Sequence, residues 1–366
     1  MTQSSIRSAA IVGVSGPALL PAEAALLRAH APAGVILFAR NVVEPVQLQA
    51  LTAALRQVLP QGAVLMLDQE GGRVSRLREI GSEPPNAQQL RDKGDAALIA
   101  RHGHITGRLL RLFGFNLDLC PVLDISFDDD ADNSLRGRCY GKSVEQVIAL
   151  AGAFNEGLRG EGIASCGKHF PGYSRAPIDA HHELPQIDLT RADLDAHELA
   201  VFRHFADKLD SMMIGHAYYP SLDASGTPTS LSRPVVVGLL RQEMGFGGLI
   251  MTDDLDMGAI LNHYGLEETI RLAITAGNDL AMICHRIPNV EDAWKTLDRL
   301  PSAELERALE NVHRFKTTMA PPDAFSEEEF QRRDAEVWQL RVDTLGEEKA
   351  RERSPENGKR SPVETY

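Results

Sequence analysis

Eight short apolar runs, separated by longer segments with helical spacing of apolar residues, are the feature that most restricts how this chain can fold. The runs have the length and composition of buried strands, and they lie at residues 9–16, 34–38, 63–68, 116–125, 163–170, 211–218, 248–254 and 279–284. Between them, segments such as 45–59, 143–162 and 191–206 have the apolar periodicity of amphipathic helices. Strand and helix alternating in this way indicate a parallel sheet, because each helix returns the chain to the same end of the sheet.

Two architectures share this alternation, a closed (β/α)8 barrel and an open doubly wound sheet. The open sheet often has a G-x-G-x-x-G turn after its first strand, and "AAIVGVSG" (9–16) is not followed by one. We therefore predict an α/β protein with a single (β/α)8 barrel of the TIM type over residues 1–320. A helical extension is expected at 321–345, and the charged residues at 346–366, which include proline and serine, predict a disordered tail.

Composition excludes several classes of function. The 38 basic and 51 acidic residues give a net charge of −13, which argues against nucleic-acid binding as the main activity. The sequence has neither a run of about 18 apolar residues nor a leader-like N-terminal segment, so we expect a cytoplasmic protein without membrane association. The cysteines are widely spaced and form no CxxC pair, which predicts free thiols at Cys120, Cys139, Cys166 and Cys284.

Ionisable side chains concentrate just after the predicted strands. The carboxyl ends of all strands in a parallel barrel meet at one face, which is where these barrels have their active sites. Any one of the side chains has an ordinary explanation, such as capping a helix or forming a hydrogen bond in the core. Seven ionisable groups at one rim would cost stability unless they served a polar ligand. We therefore predict a binding site that contains Asp68, Arg76, Arg138, Lys168, His169, His216 and Asp253.

Two kinds of chemistry suit this set of residues. A metal-dependent barrel hydrolase would use as ligands His169, His181, His182, His216 and Asp253, but such barrels usually have a His-x-His on the first strand, and "AAIVGVSG" has none. Hydrolysis of a glycosidic bond requires a carboxylate on one side of the sugar, a proton donor on the other, and hydrogen-bonding groups for the hydroxyls. The polar set, which includes His169, matches that last need, and the stretch "KHFPGYSRAPIDAHHELP" (168–185) adds two further histidines, His181 and His182.

Several motifs together resemble glycoside hydrolase family 3, and within it the β-N-acetylhexosaminidases of the NagZ type, which act in bacterial cell-wall recycling. The resemblance covers roughly residues 9–320 and is carried by "GVILFARN" (34–41), "DQEGGRVSRL" (68–77), "DLCPVLDI" (118–125), "KHFPG" (168–172), "DAHHELP" (179–185), "PTSLS" (228–232) and "LLRQEMGFGGLIMTDDLDM" (239–257). The combination of "KHFPG", D-x-H and "TDDLDM" is far more specific than any of its parts.

The resemblance implies a retaining exo-β-N-acetylglucosaminidase that hydrolyses terminal GlcNAc from muropeptides or their sugar fragments. Asp253 would be the nucleophile that forms a covalent glycosyl intermediate, and Asp254 and Asp256 would support it. His181 and Asp179 match the general acid/base dyad, and His182 is the alternative acid/base. We expect no cofactor, a carbohydrate as the substrate, and a monomer or weak homodimer.

The same resemblance assigns sugar binding to the remaining polar positions, namely Asp68, Arg76, Arg138, Lys168, His169 and His216. Two stretches depart from the family pattern. Family members usually have "KHFPGHGDT" before the dyad, whereas this chain has "KHFPGYSRA" (168–176). In "SLRGRCYG" (134–141), Arg136 replaces a glycine, and Cys139 and Tyr140 replace Ser and Phe.

Two further alternatives stay open. One is a family-3 β-glucosidase, although those enzymes often have a second sandwich domain, and no stretch of this sequence is long enough to supply it. The other is a sugar-binding protein or sensor descended from the enzyme. The presence of Asp253, Asp179 and His181 favours catalysis over both loss of function and a pure binding role.

Overall fold

Eight parallel strands close into a barrel in the computed structural model, which describes residues 8–131, 134–285, 290–315 and 320–354. The barrel strands are β1 (Ser8–Val12), β2 (Pro32–Ile36), β3 (Val64–Leu67), β6 (Leu117–Asp118), β7 (Ala164–Phe170), β8 (Ser211–Ile214), β9 (Leu249–Asp254) and β10 (Leu280–Ile283). Strand β1 pairs with β10 and closes the ring, with Ala10 opposite Ala281. The predicted fold class is confirmed, and every predicted strand region overlaps one barrel strand.

A short antiparallel hairpin follows β3 at the carboxyl end of the barrel. It consists of β4 (Gln69–Gly71) and β5 (Val74–Ser75). The hairpin places the "DQEGGRVSR" segment above the barrel mouth, where a parallel barrel forms its binding site.

Helices surround the strands. In chain order they are α1 (Pro21–His30), α2 (Pro45–Val58), α3 (Ala87–Lys93), α4 (Ala96–Leu112), α5 (Val144–Gly160), α6 (Arg191–Ala196), α7 (Glu198–Phe205), α8 (Gly258–Leu261), α9 (Leu266–Ala276), α10 (Val290–Leu297) and α11 (Ser302–Phe315). A π-helical segment, Pro234–Glu243, precedes β9, and short 3-10 turns occupy Ala39–Asn41, Arg76–Glu79 and Thr229–Leu231. Helix α2 shows why these segments are helical: it buries Leu48, Leu51 and Leu55 at spacings of three and four residues.

The core has two layers, which follow from the alternation of side chains along each strand. Ala10 and Val12 of β1 belong to the apolar cluster between the strands and the helices. Ile11, which lies between them, belongs to a second cluster with Met66, Met213 and other residues that fill the barrel interior. The four cysteines are buried and unbridged, as the sequence predicted.

The C-terminal segment packs on the outside of the barrel beside α3 and α4. It contains α12 (Glu327–Leu345) and α13 (Glu347–Ala350). Arg341 of α12 and Ser354 both donate hydrogen bonds to the Glu83 carboxylate, at 3.0 and 2.7 Å. The packed segment therefore reaches Ser354 and includes the first residues of the predicted tail, whereas residues 355–366 lie outside the described part of the chain. No helix within the described ranges is long and apolar enough to cross a membrane.

Candidate active site

One pocket at the carboxyl end of the barrel contains most of the residues that the sequence singled out. Its lining includes Asp68, Arg76, Arg138, Lys168, His169, His181, His216 and Asp253. Asp179 is not among the lining residues, and its carboxylate contacts Nδ1 of the His181 ring. His182 is exposed and belongs to a neighbouring part of the surface, so of the two adjacent histidines only His181 faces the pocket.

A network of buried charges forms one wall of the pocket. Lys168, which is 1% exposed, extends from β7 and places Nζ 2.6 Å from Asp68 Oδ1 and 2.7 Å from Glu70 Oε1. Arg138 donates from Nε and Nη2 to the two oxygens of Glu70, at 2.8 and 2.7 Å. Arg76 donates to the other oxygen of Asp68 at 3.0 Å. Three cations thus share two carboxylates, which is the pairing that burial of charge requires.

The charges of this network hold its members ionised. Burial favours the neutral acids, but the positive charges of Lys168 and Arg76 outweigh it and lower the pKa of Asp68 below its ordinary value. The charges of Arg138 and Lys168 likewise lower the pKa of Glu70 to about 2, against the effect of burial. Because Asp68 lines the pocket, it is the carboxylate placed to meet a ligand, and Glu70 holds the cations in place.

Glu70 was missed by the sequence reasoning. A signal was present, because Asp68 and Glu70 are two residues apart in "DQEGG" beside an extended strand, and this spacing places side chains on one face. What the sequence could not supply was the partner, since Arg138 lies 68 residues away.

His169 is fixed by an acid that was also missed, Asp124. Its carboxylate accepts hydrogen bonds from the backbone N–H of His169 at 3.1 Å, from its ring Nδ1 at 2.7 Å, and from the backbone N–H of Tyr173 at 2.6 Å. The bond to Nδ1 assigns the ring proton to that nitrogen, so any contact of the ring with a pocket ligand would use Nε2.

His216 has both ring nitrogens engaged inside the protein. Nε2 lies 2.9 Å from the backbone oxygen of Asp254, which can only accept, so Nε2 carries the proton and Nδ1 accepts from the Ser230 hydroxyl at 2.7 Å. Burial lowers the pKa of His216, which agrees with a neutral ring. The expected sugar-binding role of His216 stays a prediction, and these bonds support a role in holding the segment that follows Asp253.

The two neighbouring acids of "TDD" are in different situations at the end of β9. Asp253 lines the pocket, and one of its carboxylate oxygens accepts the backbone N–H of Asp254 at 2.8 Å. Asp254 is 4% exposed and accepts from the backbone N–H groups of Asp256 and Cys284 and from His285 Nδ1, at 3.0, 3.2 and 2.7 Å. Both acids line the pocket, but the Asp254 carboxylate is held by three protein donors, whereas the Asp253 carboxylate accepts one hydrogen bond from the described residues and is presented to a ligand.

His181 and Asp179 form a close pair at the pocket edge. Asp179 Oδ1 lies 2.5 Å from His181 Nδ1 and also accepts the backbone N–H of His181 at 3.0 Å. Burial opposes ionisation of Asp179, but the hydrogen bond and charge of His181 lower its pKa overall. The carboxylate orients the ring with the proton on Nδ1, so proton exchange with a pocket ligand would use Nε2.

A possible metal-ligand group in the described chain consists of Asp254, Asp256 and His285, whose ligand atoms lie within 4.8 Å of one another. These residues already bond to each other: His285 donates to Asp254 from Nδ1 and to Asp256 from its backbone N–H, at 2.7 and 2.9 Å. The ligand set of the metal-hydrolase alternative is different and shares none of its residues with this group.

Asp118, at the end of β6, is a buried acid beside the charge network. One oxygen accepts the backbone N–H of Gln69 at 3.0 Å, and the other has no hydrogen-bond partner among the described residues. Burial raises the pKa of Asp118 to about 7, and neither the Gln69 bond nor the charge of Lys168 offsets it. The group therefore costs folding free energy when it is ionised.

Replacing Asp118 with Asn should raise the free energy of unfolding at pH 8 and change it little at pH 4. The unfolded acid ionises near its ordinary pKa of 3.8, whereas the folded protein retains the proton up to about pH 7, so wild-type stability falls as the pH rises through this window. An amide oxygen can still accept from Gln69. We expect a gain on the order of 1–3 kcal/mol at pH 8, measured by urea unfolding at both pH values. A gain of equal size at both values would contradict the explanation.

Comparisons with known proteins agree with this geometry. Residues 11–315 match the family model described as the glycosyl hydrolase family 3 N-terminal domain. The chain is 33% identical over 301 residues to a protein named beta-hexosaminidase from Pseudomonas aeruginosa, covering 81% of this chain and 89% of that protein. Among solved structures, a glycoside hydrolase family 3 beta-N-acetylglucosaminidase from Paenibacillus aligns with a TM-score of 0.84 and 30% identity, over 93% of this chain and 68% of the other. Native NagZ from Neisseria gonorrhoeae aligns with a TM-score of 0.79 and 27% identity, over 92% and 99% of the two chains.

Proposed function

The chain belongs to glycoside hydrolase family 3, and on that premise we propose that it is an exo-acting β-N-acetylglucosaminidase that removes terminal β-linked GlcNAc from muropeptides or their sugar fragments. The observation that carries the proposal is that one pocket is lined by a presented carboxylate, Asp253, and by a histidine paired with an acid, His181 with Asp179. Similarity to proteins named as hexosaminidase and N-acetylglucosaminidase supports the substrate class.

The charged wall of the pocket is suited to sugar hydroxyls. Asp68 accepts hydrogen bonds, while Arg76 and Lys168 donate them, and all three are already oriented by their ion pairs. Hydrogen bonds that involve a charged group are the stronger kind, and groups held in advance lose little conformational entropy when the sugar binds. We propose that these residues, with Arg138, His169 and His216, bind or position the terminal sugar.

The first step of the reaction forms a glycosyl enzyme. A carboxylate oxygen of Asp253 bonds to the anomeric carbon while the bond from that carbon to the leaving oxygen breaks. His181 donates its Nε2 proton to that oxygen, so the aglycone leaves as a neutral alcohol. Asp179, 2.5 Å from Nδ1, orients the ring and stabilises its charged form before the transfer.

The second step hydrolyses the intermediate. His181, now neutral, takes a proton from water, and the water oxygen bonds to the anomeric carbon as the bond to Asp253 breaks. Two displacements at one carbon leave the configuration of the sugar unchanged, so the product is β-GlcNAc. A cytoplasmic location and a monomeric or weakly dimeric state stay predictions from the sequence.

A panel of aryl β-glycosides tests the proposed function. We expect the N-acetylglucosaminide to be cleaved with kcat/KM at least ~10–100-fold above that of the glucoside, in line with what contacts to one substituent contribute to discrimination. A glucoside cleaved equally well would favour the β-glucosidase alternative, and binding of GlcNAc without cleavage of any substrate would favour the sensor. Activity should survive a chelator; full inactivation that zinc reverses would instead support the metal hydrolase.

A further inference from the structure

Tyr173 is a buried residue beside the proposed acid/base dyad, at a position where the chain departs from the family sequence. It is 5% exposed and follows the "KHFPG" segment. Its hydroxyl donates to the backbone oxygen of Ile178 at 3.1 Å and accepts the backbone N–H of Ala180 at 2.6 Å. Ala180 lies between Asp179 and His181, so one phenol oxygen holds the backbone of the dyad.

The other end of Tyr173 is anchored as well. Its backbone N–H donates to Asp124 at 2.6 Å, and the same carboxylate binds the ring and backbone of His169. The Tyr173 ring also lies beside that of His169, with the ring centroids 6.0 Å apart. Tyr173 therefore connects the wall of the pocket that holds His169 to the segment that holds the dyad, Ile178–His182 (the dyad segment), and it is bonded at both ends.

The opposite edge of the dyad segment is held by the residues that follow Asp253. Backbone N–H groups of Gly258 and Ala259 donate to the oxygens of His181 and Ala180, both at 3.0 Å. The close approach requires glycine, because a Cβ at Gly258 would lie 2.5 Å from the backbone oxygen of His182. The dyad backbone is therefore clamped between Tyr173 and the start of α8.

We propose that Tyr173 is a positioning residue that holds the Ile178–His182 segment so that His181 reaches the glycosidic oxygen as Asp253 attacks. The inference rests on the proposed function and adds to it the residue that sets the geometry of the His181–Asp179 pair in this chain. Without the hydroxyl, Ala180 N–H and Ile178 C=O lose the partner that ties them to Tyr173, while the backbone of the segment keeps its hydrogen bonds from Gly258 and Ala259. A displacement of about 1 Å at a reacting group can cost about 100-fold in rate.

Tyr173→Phe separates this role from ordinary packing, because the ring stays and only the hydroxyl is removed. For phenyl β-GlcNAc, whose leaving group needs a proton, kcat/KM should fall ~10–100-fold. For 2,4-dinitrophenyl β-GlcNAc, whose leaving group departs unprotonated, kcat/KM should stay within about twofold, since it reports only the glycosylation step. Tyr140→Phe, the same change at another buried tyrosine, should leave both values near those of the wild type.

Gly258→Ala is a second test, because the added methyl group disturbs the contacts between the start of α8 and the dyad segment. It should lower kcat/KM more for phenyl β-GlcNAc than for 2,4-dinitrophenyl β-GlcNAc, as Tyr173→Phe does. Equal losses on both substrates, or no loss on either, would overturn the positioning role of Tyr173. A wild-type protein that cleaves neither substrate would overturn the proposed function itself, and this inference with it.

Discussion

Asp253→Asn should remove nearly all turnover of an aryl β-N-acetylglucosaminide, with kcat lower by on the order of 10⁴-fold or more. An amide oxygen is a poor nucleophile, and loss of a covalent nucleophile costs about 10⁶-fold in a well-studied protease. The side chain keeps its size and can still accept the Asp254 N–H at 2.8 Å, so the fold should be unaffected. Turnover and a thermal melt of the same preparation would establish both points.

Asp254→Asn is the matched control for the nucleophile. Asp254 is a neighbouring carboxylate of the same strand, but its oxygens are taken by Asp256, Cys284 and His285. We expect this variant to be less stable, because the amide nitrogen that replaces one carboxylate oxygen donates and cannot accept the hydrogen bond which that oxygen accepts now, and to keep a measurable fraction of the activity. Labelling of an acid other than Asp253 by a slow fluorosugar substrate would show that the nucleophile is misassigned.

His181→Ala should slow both formation and breakdown of the glycosyl enzyme, by roughly the 10²–10⁴-fold typical of general acid/base groups. A 2,4-dinitrophenyl leaving group relieves only the first step. With that substrate, a burst of phenolate should precede a slow steady state, because the intermediate accumulates while it waits for hydrolysis. Stopped-flow absorbance would measure the burst amplitude against the enzyme concentration.

Two further variants locate the proton transfer within the loop. Asp179→Ala should give a milder form of the same pattern, since the imidazole remains but loses the carboxylate 2.5 Å from Nδ1. His182→Ala should behave like the wild type, because His182 is exposed and outside the pocket lining. A burst from His182→Ala with normal kinetics for His181→Ala would assign the acid/base role to the neighbouring histidine.

Local pattern was enough to predict the strands and the fold class. The side chains of strands such as β1 and β10 must face either the barrel interior or the helices, and both environments are apolar, so these segments appear as continuous apolar runs. Position after a strand was likewise enough to select seven of the polar residues that line the pocket, because all strands of a parallel barrel end at the same face. Helix α13 and the residues after it up to Ser354 were not separable from a tail by composition, since what holds them is tertiary. Arg341 of α12 donates to the Ala350 backbone oxygen, and Ser354 bonds to Glu83, more than 260 residues away.

The sequence by itself determined the barrel, its order of elements and the set of polar residues at its mouth, since these depend on periodicity and on chain order. Only the tertiary structure decided the role of each polar residue. Asp68 and Glu70 are both acids of one motif, yet one lines the pocket and the other is enclosed by Lys168 and Arg138. His216 is a pocket residue whose two nitrogens are already used by Ser230 and Asp254. The physical reason is that a polar group's role depends on which partners satisfy it, and those partners come from segments far apart in the chain.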